Sequence, residues 1–207
     1  MVYTASDKEQ MEDLKRWWSD YGQLLTIAIA IGLAIGAGWQ FWNRYVAGRE
    51  DAASQIYQAM QQAALQKQDG IVGQYALQLQ TQYKRTVYAS LGSLFAARVA
   101  VENQKYNDAL TQLHWVALHA KQTGIQTIAQ LRLARVQLQV GQAKEALSTL
   151  QGIRSGSTFD PLIAQTEGEV YKALGQNTQA QAAFTQAYNA FAAQGQQSFV
   201  VELNRGQ

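Results

Sequence analysis

A run of eighteen residues without a charged side chain, residues 24–41, restricts this chain more than any other feature. As an α-helix the run extends about 27 Å, at about 1.5 Å per residue, which is close to the ~30 Å hydrocarbon core of a bilayer. Aromatic residues flank it and a basic residue follows, as at membrane interfaces: Tyr21, Trp39, Trp42 and Arg44. We predict one transmembrane helix at residues 24–43.

Two other interpretations of the run are a buried core helix and a cleaved signal peptide. A core helix this long and free of charge is uncommon. Small residues at 36–38 could suit a signal peptidase, but residues 1–23 carry five acidic side chains and are not a short basic leader. The pattern favours an uncleaved anchor, preceded at residues 1–23 by a cytoplasmic tail that contains an interfacial amphipathic helix.

The orientation of the anchor follows from the basic residues on its two sides. Three precede the span and two follow it closely: Lys8, Lys15 and Arg16, then Arg44 and Arg49. A basic excess favours the cytoplasmic side, so the N-terminus is expected in the cytoplasm, although the count alone leaves the orientation open.

One face of the span carries small residues. Ala28, Gly32 and Gly36 recur at intervals of four, which places them on one side of a helix. Small side chains let another helix backbone approach closely, so this face is expected to pack against a membrane partner. Gly and Ala are also common in such spans generally, and that alternative stays open.

The chain after residue 51 reads as an array of helical hairpins. It is rich in Ala, Leu and Gln and lacks strand-like alternation. Three segments align on alanines that are 37 and 34 residues apart, close to the 34-residue tetratricopeptide period: Ala109, Ala146 and Ala180. Each has a larger apolar residue four positions later and a small residue twelve positions earlier: Leu113, Leu150 and Phe184, and Ala97, Ala134 and Gly168. The predicted fold is all-α, with an N-terminal transmembrane helix followed by tetratricopeptide-like hairpin repeats, an α-solenoid.

The ends of this array are less regular. Gly141 and Gly175 precede two of the key alanines by five residues and are expected at the turns inside their hairpins. Extending the period backward places Ala76 and Ala64 in register, with a degenerate first hairpin at residues 52–83 and a break near 68–73. The predicted organisation is a juxtamembrane hinge at 44–51 and a repeat domain at 52–207, which ends in an apolar segment at 198–203.

Composition excludes several kinds of chemistry. The chain has no Cys, so disulfides, thiolate metal sites and thiol nucleophiles are absent. A net charge of +2 gives little reason to bind a polyanion, and no nucleic-acid partner is expected. His114 and His119 are five apart and do not share a helical face as a metal-binding pair does. We predict no catalytic residues, no metal site, no cofactor and no enzymatic activity.

Hairpin arrays present the first helix of each repeat along a concave face, which is the expected binding surface. Counting from the key alanines gives ten candidate contact residues: Leu91, Leu94, Arg98, Glu102, Ile128, Leu131, Arg135, Gln139, Glu169 and Lys172. Aliphatic and charged side chains together suit an extended segment or helix of a partner. In the alternative, the aliphatic residues belong to the hairpin core and the arginines pair with nearby glutamates.

Four segments together resemble a known family. They read Lys-Arg-Trp-Trp at 15–18, Gly-Trp-Gln-Phe-Trp-Asn at 38–43, Tyr-Ala-Ser-Leu-Gly-Ser-Leu at 88–94 and Leu-Arg-Leu-Ala-Arg-Val-Gln-Leu at 131–138. In this order, after the same tail and span, the chain resembles the YfgM-type ancillary subunit of the bacterial Sec translocon along nearly its whole length.

The resemblance implies a single-pass protein of the bacterial inner membrane with a cytoplasmic N-terminus and a periplasmic repeat domain. Its implied partners are the Sec translocon channel subunits and a membrane-anchored periplasmic chaperone with a prolyl-isomerase-like domain. The leading hypothesis is a non-enzymatic adaptor that helps transfer newly translocated proteins to periplasmic folding factors. The alternatives are a repeat scaffold of another envelope complex and a holdase that binds unfolded clients directly.

Overall fold

The computed structural model describes residues 5–153 and 158–195 and separates the chain between Arg49 and Glu50 into two compact units. Every regular element in these ranges is an α-helix, which confirms the all-α prediction. The helices are α1 (Ala5–Leu65), α2 (Asp69–Gln82), α3 (Val87–Glu102), α4 (Tyr106–His119), α5 (Thr123–Gln139), α6 (Ala143–Gln151), α7 (Asp160–Ala173) and α8 (Asn177–Ala193). The predicted apolar segment at 198–203 lies outside the described residues.

The first unit consists of α1 up to residue 49, including the charge-free run. The apolar side chains of the run are exposed, for example Leu33 at 70% and Phe41 at 75%. Each such side chain gains about 1.5–3 kcal/mol on leaving water, so insertion of this stretch into hydrocarbon would be favourable. The helix is long and apolar enough to cross a bilayer, and it fits the predicted membrane anchor.

Aromatic side chains fold onto the helix on both sides of the run. The Trp17 and Tyr21 rings lie 6.2 Å apart before it, and those of Trp42 and Tyr45 lie 6.3 Å apart after it. Trp18 covers Gly22 so closely that a Cβ there would come within 3.1 Å of the indole. Broad aromatic surfaces are therefore held at both ends of the apolar run, where interfacial residues are expected. Residues 44–51 are helical, and their role as a hinge stays a prediction.

The second unit contains four helical hairpins, made by the end of α1 with α2, α3 with α4, α5 with α6, and α7 with α8. A three-residue turn joins the helices of each hairpin, and its middle residue has a positive φ. These residues are Lys67 (58°), Gln104 (59°), Gly141 (80°) and Gly175 (75°). The two predicted glycine turns are confirmed, and Lys67 and Gln104 adopt the same left-handed conformation in the first two hairpins.

The turn positions correct the predicted register of the first hairpin. Five residues after the left-handed residue lies Val72, which is therefore the equivalent of Ala109. The predicted Ala76 is four residues too late, because the first interval is 37 residues rather than 33. Four residues make about one helical turn, so Ala76 lies on the same buried face of α2 as Val72. The two positions are therefore hard to distinguish from the sequence. The break predicted near 68–73 lies slightly earlier, at residues 66–68, since α2 begins at Asp69 and continues through both of its glycines.

Every hairpin has one small and one large residue, sixteen positions apart, in the apolar core between its two helices. The pairs are Met60 with Ala76, Ala97 with Leu113, Ala134 with Leu150, and Gly168 with Phe184. In the last pair a Cβ on Gly168 would lie 2.6 Å from the Phe184 ring. The first hairpin reverses the order of large and small, which preserves the packed volume despite its divergent sequence.

The hairpins are joined by a core that continues from one to the next. Tyr57 of the first hairpin has its ring 5.9 Å from that of Tyr88 and 6.1 Å from that of Phe95 in the second. Trp115 packs against the apolar clusters of both the first and the second hairpin. Helix α5 contacts both α3 and α7, so the first helices of successive repeats are neighbours. They form one side of the array, as in other solenoids.

The contact between Gly168 and Phe184 can be tested by a pair of substitutions. Gly168→Ala is expected to lower the free energy of unfolding by about 1–3 kcal/mol, because the added methyl group overlaps the ring. Adding Phe184→Leu recreates the Ala134 and Leu150 combination and should restore most of the loss. Thermal unfolding of the full-length protein in detergent, followed by circular dichroism, measures both.

Gly73→Ala is the matched control, since a Cβ there meets no atom within 4 Å. It should stabilise α2 by about 0.5–1 kcal/mol. A Gly168→Ala protein as stable as the parent, or a double variant without recovery, would show that the pair does not set the hairpin geometry.

Candidate partner-binding surfaces

The first helices of the second and third hairpins present matching stripes to solvent. Positions spaced by four, three and four residues lie on one face of a helix. We call this surface, together with the outward residues of α7, the first-helix face: Leu91, Phe95, Arg98, Glu102, Ile128, Arg132, Arg135, Gln139, Glu169 and Lys172. Along the stripes of α3 and α5 the apolar residues come first and the charged or polar residues follow. An apolar floor therefore adjoins a polar rim.

Most of the predicted contact residues lie on this face. Leu91, Ile128 and Glu169 are half-buried, and five are exposed: Arg98, Glu102, Arg135, Gln139 and Lys172. Leu94 and Leu131, however, are only 8% and 5% exposed. They lie three residues before the helix-crossing residue and pack inside the apolar clusters of their hairpins, as in the alternative that assigns the aliphatic residues to the hairpin core. Their direct contact with a partner stays a prediction.

The arginines of the face differ in their surroundings. Arg98 lies over the Phe95 ring, 5.3 Å from its centroid, and its Nε is 3.1 Å from Oε1 of Glu102. Both charges are exposed, so this ion pair contributes only about 0.3–0.5 kcal/mol to stability. Within residues 5–153 and 158–195, neither Arg132 nor Arg135 has a carboxylate within 4.0 Å. The alternative of paired arginines therefore holds for Arg98 and not for Arg135 in the described chain.

Arg132 is the functional candidate that sequence reasoning missed. It occupies the same helical position as Phe95, one turn before Arg135. The predicted contact residues included repeat equivalents of Leu91, Leu94 and Arg98, and they did not include the equivalents of Phe95. The sequence feature that could have identified Arg132 is its position four residues after Ile128, because that spacing places both residues on the outward stripe of α5. The result is a pair of guanidinium groups one turn apart beside a half-buried isoleucine.

A half-buried carboxylate lies next to this face in the last hairpin. Glu167 occupies the position that Ala96 and Leu133 fill in the two preceding repeats, where the side chain is buried. Burial raises the pKa of the Glu167 carboxyl above its usual range. Ionisation at neutral pH therefore opposes folding slightly at this site.

The two histidines have structural surroundings. The His119 ring stacks on Trp115 at 4.8 Å, and its Nδ1 lies 2.9 Å from the Trp115 carbonyl oxygen. His114 is exposed on the same helix. In the described part of the chain, no three His, Asp or Glu side chains are grouped in a way that could hold a metal ion.

The predicted packing face of the anchor is open. Ala28, Gly32 and Gly36 are exposed, and a Cβ added at either glycine meets nothing within 4 Å. Among the residues that the structure describes, no side chain covers this stripe. Small residues permit the close approach of another helix, and packing of this stripe against a membrane partner stays a prediction.

The profile of one family, described as "Tetratricopeptide repeat-like domain", matches residues 15–205. The chain belongs to this family. The match begins before the anchor and continues past the end of α8, and it agrees with the four hairpins and their left-handed turns.

Several curated relatives carry one name, "Ancillary SecYEG translocon subunit". The chain is 28% identical to that of Haemophilus influenzae, covering 99% of both chains. It is 29% identical to that of Escherichia coli over 89% of this chain and 88% of the relative. It is 27% identical to that of Neisseria gonorrhoeae over 90% of both. These matches confirm the resemblance to the ancillary Sec subunits, and no solved structure matches.

The pH dependence of stability tests the surroundings of Glu167. Because its pKa is raised in the folded state, the destabilisation is absent below about pH 4, where the carboxyl is protonated in both states. It develops as the pH rises through the folded-state pKa. Glu167→Gln should therefore raise the melting temperature at pH 7 and lose this advantage in acid. Solvent reaches the carboxylate, so the gain should be at most about 0.5 kcal/mol.

Melting curves of the parent and the variant between pH 4 and pH 8 give this difference directly. Glu145→Gln, which removes an exposed carboxylate from α6, controls for the change in net charge. A Glu167→Gln advantage that is the same at every pH would contradict the assignment.

Proposed function

We propose that this chain is a non-enzymatic adaptor of the bacterial inner membrane that associates with the Sec translocon. The observation that carries the proposal is an exposed, charge-free helix joined to a repeat domain, in a chain that matches the ancillary SecYEG subunits over nearly their full length. Repeat arrays of this family bind other proteins through extended surfaces. The proposed role is to bring a periplasmic chaperone to newly translocated proteins.

Each unit has its own part in this function. The anchor holds the protein in the membrane with its N-terminus in the cytoplasm, and the stripe of Ala28, Gly32 and Gly36 packs on a translocon helix. The repeat domain extends into the periplasm, and its first-helix face binds the membrane-anchored chaperone with the prolyl-isomerase-like domain. Two guanidinium groups without carboxylate partners in the described chain, Arg132 and Arg135, suit an acidic segment with an apolar side chain for the floor.

The role of the anchor stripe is tested by enlarging it. Gly32→Leu together with Gly36→Leu should reduce the amount of Sec channel subunits that co-purify with the tagged protein from gentle detergent, because the side chains separate the two backbones. The loss should be severalfold. Ile31→Leu with Ile35→Leu is the matched control, since it keeps the volume and hydrophobicity of neighbouring positions. Equal recovery of Sec subunits in all three proteins would disprove a packing role for the stripe.

The role of the first-helix face is tested by reversing its charge. Arg132→Glu with Arg135→Glu should weaken chaperone binding by about tenfold or more, which corresponds to about 1.4 kcal/mol. Affinity measurements between purified full-length proteins, at low and high salt, give this value. Translocon association should remain, because the substitutions leave the anchor unchanged.

Lys84→Glu with Lys144→Glu makes the same charge change at exposed positions outside the face. If this control weakens binding as much as the arginine variant does, net charge and not the first-helix face is responsible. Identification of the co-purified proteins by mass also separates the alternatives: a scaffold of another envelope complex would bring down that assembly without Sec subunits.

A further inference from the structure

A cleft of about 320 Å³ lies between the second helices of the first two hairpins, α2 and α4. Its floor is apolar and comes mainly from α3, with Ala96, Val99 and Ala100. None of the predicted contact residues lines it, so it is separate from the first-helix face. Its volume is at the lower end of the range of ligand-binding pockets, about 300–1,000 Å³.

The cleft is open because α2 carries glycine at two positions that border it. Gly70 and Gly73 are both helical, and a Cβ at either would meet no atom within 4 Å. Neither glycine is required by a left-handed φ or by a close neighbour. Each costs about 0.5–1 kcal/mol of helix stability relative to alanine. Because the two glycines have no side chains, the apolar floor of the cleft stays uncovered.

Two side-chain bridges cross the cleft, one from α2 to the turn before α4 and one from α2 to the middle of α4. At one end, Nζ of Lys105 lies 3.4 Å from Oδ2 of Asp69. At the other, Nε2 of Gln80 donates to Oε1 of Gln112 at 2.7 Å and to Oγ of the buried Ser93 at 2.8 Å. The two walls are therefore linked by polar contacts at both ends, and no such contact crosses the middle of the cleft in the described residues.

The charge around the opening indicates what the occupant carries. Two carboxylates and one ammonium group line the cleft, and Lys105 already pairs with Asp69. Asp108 is exposed and has no cation within 4.0 Å in the described residues. Asp108 and Lys105 also line an adjacent depression of about 370 Å³ that reaches Val140 in the third hairpin. A bound segment can thus pass from the cleft across Asp108 toward the next repeat.

We propose that this cleft is a second docking site of the repeat domain, for an extended protein segment in which a large apolar side chain adjoins a lysine or arginine. The apolar side chain fills the space above Val99 and Ala100, and the cation pairs with Asp108. The site takes segments of the opposite charge to those that suit the first-helix face. It does not depend on the Sec association proposed above.

The absence of Cys makes a direct binding assay possible. Thr111 is exposed and lines the cleft, so Thr111→Cys introduces one thiol into the full-length protein for an environment-sensitive fluorophore. Three synthetic peptides serve as probes in detergent solution, with the central sequences Phe-Lys-Phe, Phe-Glu-Phe and Ser-Lys-Ser between Gly-Ser flanks. We expect saturable fluorescence changes with the first peptide, and at least tenfold weaker binding of the other two.

Gly73→Leu tests the cleft itself, because the leucine side chain occupies the open space. Binding of the Phe-Lys-Phe peptide should fall at least tenfold, while the melting temperature should not fall, since leucine favours the helix more than glycine does. Gly48→Leu is the matched control, at another helical glycine with no atom within 4 Å of its Cβ. Asp108→Asn should remove the preference for Lys over Glu and leave part of the apolar binding.

Three results would each overturn the proposal. They are the lack of saturable binding by any peptide, equal binding by the Gly73→Leu protein, and equal affinity for the Lys and Glu peptides. Co-purification of Sec subunits with the Gly73→Leu protein is measured in parallel and should be unchanged. Failure of the cleft and failure of the translocon proposal are therefore seen in different measurements.

Discussion

The packing of one small residue against one large residue, sixteen positions later, is the contact on which each hairpin depends. It brings the two helices together at one crossing point, and its tight version leaves no room for a methyl group between Gly168 and Phe184. Protein interiors are packed as densely as organic crystals, so the sum of the two volumes matters more than their order. The first hairpin shows this with Met60 and Ala76. Its divergence in sequence therefore does not signal a divergence in fold.

This contact also decides which residues remain for binding. Once the crossing residues and their neighbours one turn away are buried, Leu94 and Leu131 belong to the core. The opposite stripe of each first helix faces solvent, with Arg132 and Arg135 exposed. The second helices expose a different chemistry, in which Gly70 and Gly73 leave apolar floor uncovered beside acidic side chains. The two proposed binding surfaces are thus consequences of how each hairpin divides its residues between inside and outside.

Sequence reasoning predicted the features that follow from periodicity. The key alanines and the glycine turns recur at a regular spacing along the chain. Ala109, Ala146 and Gly141 could therefore be placed correctly. It failed where two answers differ by one helical turn, as with Val72 and Ala76, because both lie on the same face. The glycines of α2 predict a break by propensity alone, and packing in the hairpin overrides that preference. The spacing of four residues is compatible with the ion pair of Arg98 and Glu102. That Arg132 and Arg135 have no carboxylate within 4.0 Å in the described residues depends on side-chain positions that the sequence does not give.

Helix α3 connects the two proposed binding surfaces. Its outward stripe, with Leu91 and Arg98, belongs to the first-helix face, and Val99 and Ala100 form the floor of the cleft. The packed core around Ala97 and Leu113 holds both sides of this helix in a fixed relation. Repeats communicate chiefly with their nearest neighbours, so coupling between the two surfaces has its shortest route through α3. Any change in affinity that one occupant causes for the other must be equal in both directions, since binding free energies are linked.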